Sequence, residues 1–548
     1  MRFLSVNDCS FLIELADLEQ TLALFDALQN NMPQGITEII PAARTLLISF
    51  DQFSANETDL QNIISSIKPD KRSKINETLI EIPVVYNGED LDDVANLLNL
   101  NREEIIRRHT QSHYSVAFTG FAPGFAYLTG GDPIFDVPRR ASPRKVIPAG
   151  SVALAGKFSG VYPQASPGGW QLIGQTDIAM FDLDRDPPSL LKPGDKVRFV
   201  DVTSKGIHKR VKLPLGNEAS SQKQIDKNVL VDDRGGVSRQ PSLEIISTLM
   251  PITFQDKGRV GQTSQGLSPS GALDQGSMCN ANYLVGNQLD MPVLEITYGN
   301  TVISALEPSV IAFCGADQSI TITTKDGEKL RVTKNCPIAI DEGDTITVGA
   351  ATSGFRSYMA LRGGFAVQKI LLSASRDTLS NIGPEPLLNG ELLYGAKDKN
   401  EALHTPVSLT VAQAFPMPKP GETVVLDVVM GPRTDWFTTE SVELFLNQLW
   451  QVTAESSRVG MRLLGDQPLQ RAIKDELPSE GTATGAIQIP MSGQPVLFLR
   501  DRPVTGGYPV IANLAHYHID LAAQIPIGCK VRFQPVKQFS DKKSASSH

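Results

Sequence analysis

Three segments in the first third of the chain set glycine-rich backbone beside arginine: FTGFAPGFAYL from Phe118, PRRASPR ending at Arg144, and SPGGW ending at Trp170. Glycine lets backbone approach a ligand closely. The planar guanidinium forks of Arg139, Arg140 and Arg144 suit carboxylates or phosphates. Together they point to a small anionic ligand, against the competing reading of arginines beside proline turns that only cover a surface. His109 and His113 are the only histidines before this block. Either has the intrinsic pKa of a general base near neutral pH, although a lone helical histidine is more often a core or surface group.

The commonest catalytic signatures are missing. The nearest approach to a phosphate-binding loop, GSVALAGKF from Gly150, has the wrong spacing and carries Phe158 where a metal-binding hydroxyl belongs. There is no GxGxxG opening a helix, no HExxH, no GxSxG and no paired CxxC. His516 and His518 in HYHID lie two apart without a third ligand, so no metal site is expected. Cys9, Cys279, Cys314, Cys336 and Cys529 are widely spaced and odd in number, which fits reduced buried thiols better than a disulfide framework or a zinc site.

The elements that must position these residues follow from periodicity. ELADLEQTLALFDALQN places Leu18, Leu22, Leu24, Phe25 and Leu28 at helical spacing, and the strand-like TLLISF follows. A second helical stretch carries Asn101 as N-cap with Glu104 three residues on, the spacing of a capping box, and leads to His109. From Val116 short apolar runs broken by Gly and Pro predict many strands and turns. A polar stretch then reads as a linker, and the β pattern resumes with ITITT, LRVTK and VVLDVVMG. One passage echoes another: Gly150 to Phe199 and Gly485 to Phe533 each contain a Gly-Gly-aromatic corner (Gly168-Gly169-Trp170, Gly506-Gly507-Tyr508) and end in KVRF, which predicts a related barrel in each half.

With 548 residues the chain exceeds what one core supports. With 41% hydrophobic and 20% charged residues it is an ordinary globular composition, and a net charge of −9 disfavours nucleic acid as a partner. The N-terminus lacks a cleavage signal, and no apolar run approaches the roughly 20 residues of a membrane span, so no membrane association and a cytoplasmic location are expected.

The run EIPVVYNGEDLDDVANLLNL, His109 with Tyr114, GFAPGFAYL, PRRASPR, PAGSV, GVYPQASPGGWQLIGQT and LLKPGDKVRF resembles the allophanate hydrolase subunit 1 family, to which the B subunits of 5-oxoprolinase belong, over residues 1 to about 200. The run GRVGQTSQGLSPSGALDQGSMCNANYLVGNQ, LEITYGN, SYMALRGGFAV, VMGPRTDWF, SSRVGMRLLG and SEGTATGAIQIPMSGQPVLFLRD with TGGYPVIANL resembles the allophanate hydrolase subunit 2 family, that of the 5-oxoprolinase C subunits, over about 245 to 536. The chain thus looks like an end-to-end fusion of the two.

The resemblance implies a mainly β fold with a small N-terminal α/β domain and cyclophilin-like β-barrels in both halves. The expected division is 1–80 for the α/β domain, 81–202 for the first barrel, 203–242 for the linker, 243–420 for a further β domain, 421–537 for the second barrel and 538–548 for a disordered tail. It also implies ATP-dependent opening of the 5-oxoproline lactam to L-glutamate with a separate A subunit. ATP is then a cosubstrate, with Mg2+, and no biotin is attached to this chain. The substrate is a small anion; self-association is compatible with the pattern.

In the first half, His109 for proton transfer and Arg144 for anion binding carry over, with Tyr114, Phe121, Pro123, Gly124, Arg139, Ser151, Tyr162, Ser166, Gly169 and Trp170 as binding residues. In the second half, Asp501 carries over as catalytic, with Arg259, Gly261, Gly271, Asp274, Asn282, Glu295, Arg362, Gly363, Arg376, Glu480, Gln488, Thr505, Gly507 and Tyr508. Two departures stand out. Ser373-Ala374-Ser375-Arg376-Asp377-Thr378 places an acid where the family has a hydroxyl, and Pro503-Val504 replaces a usual Gln-Thr, which predicts an altered pocket in the second half. Two other readings compete: a carboxyltransferase or allophanate hydrolase-like component of a urea amidolyase-type system, and a non-enzymatic regulator of a histidine kinase.

Overall fold

The computed structural model describes residues 1–67, 79–140, 142, 144–203, 240–396 and 410–543. Most of the expected linker therefore lies outside the described residues. The first sheet has five antiparallel strands in the order Ile36–Pro41, Thr45–Phe50, Ser10–Glu14, Arg2–Asn7 and Asp541–Lys543. Successive residues of a strand face opposite sides, and both sides are used. Phe3, Phe11, Ile13 and Ile48 join the helices Leu18–Asn30 and Glu57–Ser66 through Leu24, Phe25, Leu28, Leu60 and Ile64. Leu4, Val6, Leu12, Ile40 and Leu47 face Ala483 and Val504 of the second half.

Two corrections follow. The tail expected from residue 538 contains an ordered strand, because Asp541–Lys543 satisfies the free edge of Arg2–Asn7. Val504 is fully buried against the N-terminal sheet, so an apolar residue at the Pro503-Val504 departure serves packing between the halves, where a Gln-Thr pair would be desolvated.

The first barrel has seven strands in the order Gln171–Gln175, Ser151–Ala155, Phe158–Val161, Ala126–Thr129, Tyr114–Thr119, Lys196–Asp201 and Leu79–Val84. A bridge from Val85 to Gln175 returns the last to the first. Its first and last strands in the chain pair in parallel. The helix Arg102–Gln111 begins where predicted, with the Asn101 side chain accepting from the Glu104 N–H at 2.8 Å. The Glu104 carboxylate does not close the capping box; it pairs with Arg107 and Arg108.

In the second half, a six-stranded and a five-stranded sheet pack around Leu243, Ile303, Phe313, Ile346 and Met359. The helix Gln275–Leu284 covers the five-stranded sheet through Met278, Ala281 and Leu284 against Ala312, Tyr358 and Ala360. The second barrel is closed: Thr423–Met430, Val510–Leu514, Ala486–Gln488, Val496–Phe498, Gly460–Leu464, Trp450–Val452 and Lys530–Lys537, with the first and last in parallel. Strands taken in chain order follow the same cyclic sequence in both barrels, and the two KVRF echoes are the closing strand of each. No helix among the described residues is long and apolar enough to cross a membrane.

Candidate functional site

The two glycine-rich motifs that echo each other meet a third at the junction between the halves. The loop after Tyr114–Thr119 turns on Phe121 (φ 66°) and Gly124 (φ 76°). It docks onto the second half by three hydrogen bonds: Gly124 N–H to Gln265 O at 3.0 Å, Thr119 Oγ1 to Ser264 O at 2.5 Å, and Phe121 N–H to Thr505 Oγ1 at 3.1 Å. A Cβ on Gly120 would lie 2.2 Å from Thr505 Oγ1, so only glycine admits this approach.

Behind the loop, Phe121, Phe125, Tyr127, Tyr162 and Trp170 pack edge to face, with Phe125 5.3 Å from both Tyr162 and Trp170. Such contacts fix ring orientation as well as burying apolar area. The Tyr127 hydroxyl reaches across to Ser479 and Thr505 and lies in the field of Arg139; burial raises its pKa. Arg139 Nε pairs with Glu476 at 2.7 Å, and its Nη1 stands 3.6 Å from where a Gly507 Cβ would be.

Thr505–Gly506 is paired with Glu480–Gly481, and Gln488 Nε2 occupies the space above Gly506. Glu480 is gripped by Arg433 at 3.0 and 3.1 Å, and Arg433 also reaches Glu14 of the N-terminal sheet at 2.9 Å. Phe121, Gly124, Arg139, Tyr162, Trp170, Glu480, Gln488, Thr505 and Gly507 are therefore placed at or directly behind one junction, with Pro123 and Gly169 beside Gly124 and Trp170 in the chain.

A second polar network lies inside the second half. Asp501, fully buried, accepts from Arg458 Nε at 3.0 Å and Nη2 at 3.1 Å, from Ser270 Oγ at 2.6 Å, and from both the N–H and Oγ1 of Thr378 at 2.8 Å. Burial raises its pKa, but the charge and hydrogen bonds of Arg458 outweigh that and hold it below the ordinary value. Arg458 also binds Glu295, which accepts from Tyr358 and the Leu273 N–H. Asp501 is thus a structural anchor with every oxygen engaged, not an exposed catalytic acid.

The remaining expected residues serve the scaffold. His109 is fully buried in the first barrel, with Nδ1 2.7 Å from the Tyr86 hydroxyl, Nε2 3.1 Å from Ser159 Oγ, and its ring stacked on Phe199 beside Tyr114. Burial lowers its pKa to about 3, so the expectation of proton transfer fails: the ring is inaccessible and neutral.

Arg144 is also corrected. Its two terminal nitrogens hold Asp90 at 2.9 and 2.8 Å, and Asp90 additionally binds Arg140 and the Leu172 N–H. The arginine secures a turn; the guanidinium does not face an open site. Ser151 bonds the Pro148 carbonyl, and Ser166 lies in the ribbon with Arg144–Ile147.

Asp274 caps the helix Gln275–Leu284 and accepts from Gln524, while Asn282 bonds the Met291 carbonyl. Arg259 holds the carbonyls of Ile370 and Ser375, and Arg376 that of Gly383 with Glu385. Arg362 is half-buried, and its backbone N–H donates to the Val310 carbonyl at 2.8 Å; Tyr508 is exposed under Arg471.

Asp377 does not alter a pocket. Its Oδ1 accepts from the N–H groups of Leu379 and Ser380, the local turn that Asp forms readily; burial and then Asp501 raise its pKa to about 6.

Sequence reasoning passed over Tyr127, although it lies inside the quoted FAYL run, and Arg458, inside SSRVG. Asp90 lies in the quoted EIPVVYNGEDLDDVANLLNL run, where nothing local hints at arginines 50 and 54 residues on. Among the described residues no three His, Cys, Asp or Glu side chains converge as a metal set.

The burial of His109 gives a direct prediction. Unfolded histidine titrates near 6.5, whereas His109 folded does so only near 3. Between these values the unfolded chain holds a proton that the folded chain lacks, so this residue's contribution to stability is present above pH 6.5 and is lost as pH falls. Its ring proton NMR shifts are expected to stay constant from pH 8 to 5; a midpoint near 6.5 would show the ring to be open to water.

The carboxyltransferase domain, subdomain C and D, matches residues 1–191, and the carboxyltransferase domain, subdomain A and B, matches residues 265–535. The 5-oxoprolinase B subunit of Bacillus subtilis (strain 168) is 42% identical over 189 residues, covering 32% of this chain and 79% of its own. The 5-oxoprolinase C subunit of Escherichia coli (strain K12) is 32% identical over 294 residues, covering 53% of this chain and 90% of its own. The crystal structure of TTHA0988 superposes with a TM-score of 0.78 at 31% identity, over 96% of this chain and 99% of that one.

Proposed function

Because the chain belongs to the carboxyltransferase-domain family and carries counterparts of the 5-oxoprolinase B and C subunits in one polypeptide, we propose that it supplies both components of an ATP-dependent 5-oxoprolinase and works with a separate A subunit. The observation that carries this reading is the junction itself. The family motifs of the two halves meet there by direct hydrogen bonds, Phe121 on Thr505 foremost, so one chain completes a site that needs both.

A lactam carbonyl is a poor electrophile. Transfer of the ATP γ-phosphoryl group to the lactam oxygen releases ADP and makes the ring carbon electrophilic; one water adds to that carbon and the ring C–N bond breaks as the nitrogen takes up a proton, leaving an acyl phosphate, and a second water then displaces phosphate from it to give glutamate. Arg139, aimed at Gly507, holds the substrate carboxylate, and its charge favours the anionic species formed along the way. The aromatic wall of Phe121, Tyr162 and Trp170 excludes water from the ring. Mg2+ enters with the nucleotide, whose phosphate oxygens supply ligands.

The test is 5-oxoproline-dependent ATP hydrolysis with glutamate release, measured on the purified chain with and without the A subunit of the same source. Coupled turnover is expected only in the mixture; its absence in every mixture would favour the carboxyltransferase or regulatory readings.

A further inference from the structure

Packing explains some of the glycines at the junction between the halves and leaves one unexplained. A Cβ on Gly120 would lie 2.2 Å from Thr505 Oγ1, one on Gly506 would lie 2.4 Å from Gln488 Nε2, and one on Gly481 would lie 2.8 Å from the Leu47 side chain. Gly507 is different. Its φ lies outside the left-handed region, and a Cβ there would meet only Arg139 Nη1 and the Leu477 carbonyl oxygen, each at 3.6 Å, an ordinary contact distance. Alanine fits this backbone, and at such a position it is the more stable choice because it restricts the unfolded chain. The fold gives no reason for glycine here; close approach of a ligand to the backbone does.

The two groups that face the space above Gly507 are of opposite kind and come from opposite halves. Glu476 takes the Nε of Arg139 at 2.7 Å, which leaves Nη1 beside Gly507. Leu477, just outside the ribbon of Glu480–Gly481 with Thr505–Gly506, is 2% exposed, and its carbonyl accepts no hydrogen bond from the described residues. Backbone carbonyls in such places are ordinarily paired. A cationic fork and an unpaired acceptor therefore stand on either side of an empty space floored by a glycine.

We propose that Gly507 is the floor of the subsite for the substrate's carboxylate-bearing carbon, with the 5-oxoproline carboxylate on Arg139 and its lactam N–H donating to the Leu477 carbonyl; this rests on the function proposed above. In 5-oxoproline the carboxylate and the ring nitrogen are bonded to the same carbon, so an anion and a donor lie side by side, as the guanidinium and the carbonyl do across Gly507. A side chain at this position would take the space of that carbon. The Leu477 carbonyl makes the subsite selective for a lactam. A ring without the N–H leaves a desolvated acceptor unpaired, and a site built around such a bond rejects the analogue that lacks it.

The experiment follows 5-oxoproline-dependent ATP hydrolysis by the full chain mixed with the A subunit, in two arms. In the first, Gly507→Ala should have a Tm equal to or above that of wild type, while its KM for 5-oxoproline rises about 10- to 100-fold, the scale of a displaced substrate, and its KM for ATP changes little. A merely structural role for Gly507 would lower Tm and leave the substrate KM where it was. In the second arm the wild-type mixture is inhibited with 3-oxocyclopentane-1-carboxylate, in which a methylene replaces the ring N–H. Its Ki should exceed the KM for 5-oxoproline by about 10-fold or more, the cost of leaving one desolvated acceptor unpaired. An unchanged substrate KM in a folded Gly507→Ala, or a Ki close to the KM for 5-oxoproline, would overturn the subsite while leaving the enzymatic reading intact. Should Gly507→Ala fail to fold, the analogue decides alone. No turnover by the wild-type mixture would overturn that reading and this inference together.

Discussion

Arg139→Gln is expected to lower kcat/KM for 5-oxoproline-dependent ATP hydrolysis by about 10²- to 10³-fold, the loss seen when one preorganised charge-stabilising donor is removed from a site. The fold should survive. The side chain is 36% exposed and its ion pair is with Glu476, itself 57% exposed, a class of pair that contributes on the order of 1 kcal/mol or less. Glutamine keeps a donor but loses the charge and the fork, so the defect should include a raised KM for 5-oxoproline, whose carboxylate the proposed function assigns to this guanidinium. The KM for ATP should move less. Wild-type kinetics in a variant with an unchanged Tm would remove Arg139 from the site, and the junction would then need another anion-holding group.

The second large effect concerns stability. Asp501→Ala strips Arg458 of a partner in a place where neither has water: both Arg458 and Asp501 are buried. Breaking a buried pair by removing one side costs about 3–5 kcal/mol, because the other charge stays uncompensated. Ser270 and Thr378 lose their acceptor as well. We expect a lower denaturant midpoint, with Asp501→Asn intermediate because it keeps the shape and some hydrogen bonds. A change under about 1 kcal/mol for Asp501→Ala would show that the network relaxes and that Arg458 is satisfied by Glu295 alone. Acid should mimic the substitution: the folded-state pKa of Asp501 lies below the ordinary value, so its contribution is present above the unfolded pKa of roughly 3.9 and disappears as pH falls through the lower folded value.

Much of the architecture was legible because glycine and proline punctuate the strands and because the KVRF echo repeats. The echo marks the closing strand in each of two barrels of identical cyclic order. What failed to show was burial across elements. His109 reads as a general base on a helix, but its ring lies against Tyr86, just past the strand Leu79–Val84, and Phe199 of the closing strand, segments that come before and after it. Arg144 reads as an anion binder; the anion turned out to be the protein's own Asp90, a pairing that no local pattern encodes. Val504 looked like a defect in a pocket because the sheet that covers it lies at the other end of the chain. Phe121, Gly124 and Thr505 were legible as motif members, yet their meeting depends on Gly120 leaving room, which composition alone does not reveal.

The strand Asp541–Lys543 against Arg2–Asn7 also bears on how the molecule is made. On the ribosome the N-terminal sheet must wait for its fifth strand, which emerges last among the described strands, on the order of a minute later at about 5–20 residues per second. Throughout that interval the Arg2–Asn7 ladder offers a bare row of amides, and the Leu4, Val6 and Leu47 face has nothing to lie on. Such an edge recruits other chains. A cell producing this protein therefore places its aggregation hazard in the nascent state, and expression of residues 1–203 alone would make that transient hazard permanent.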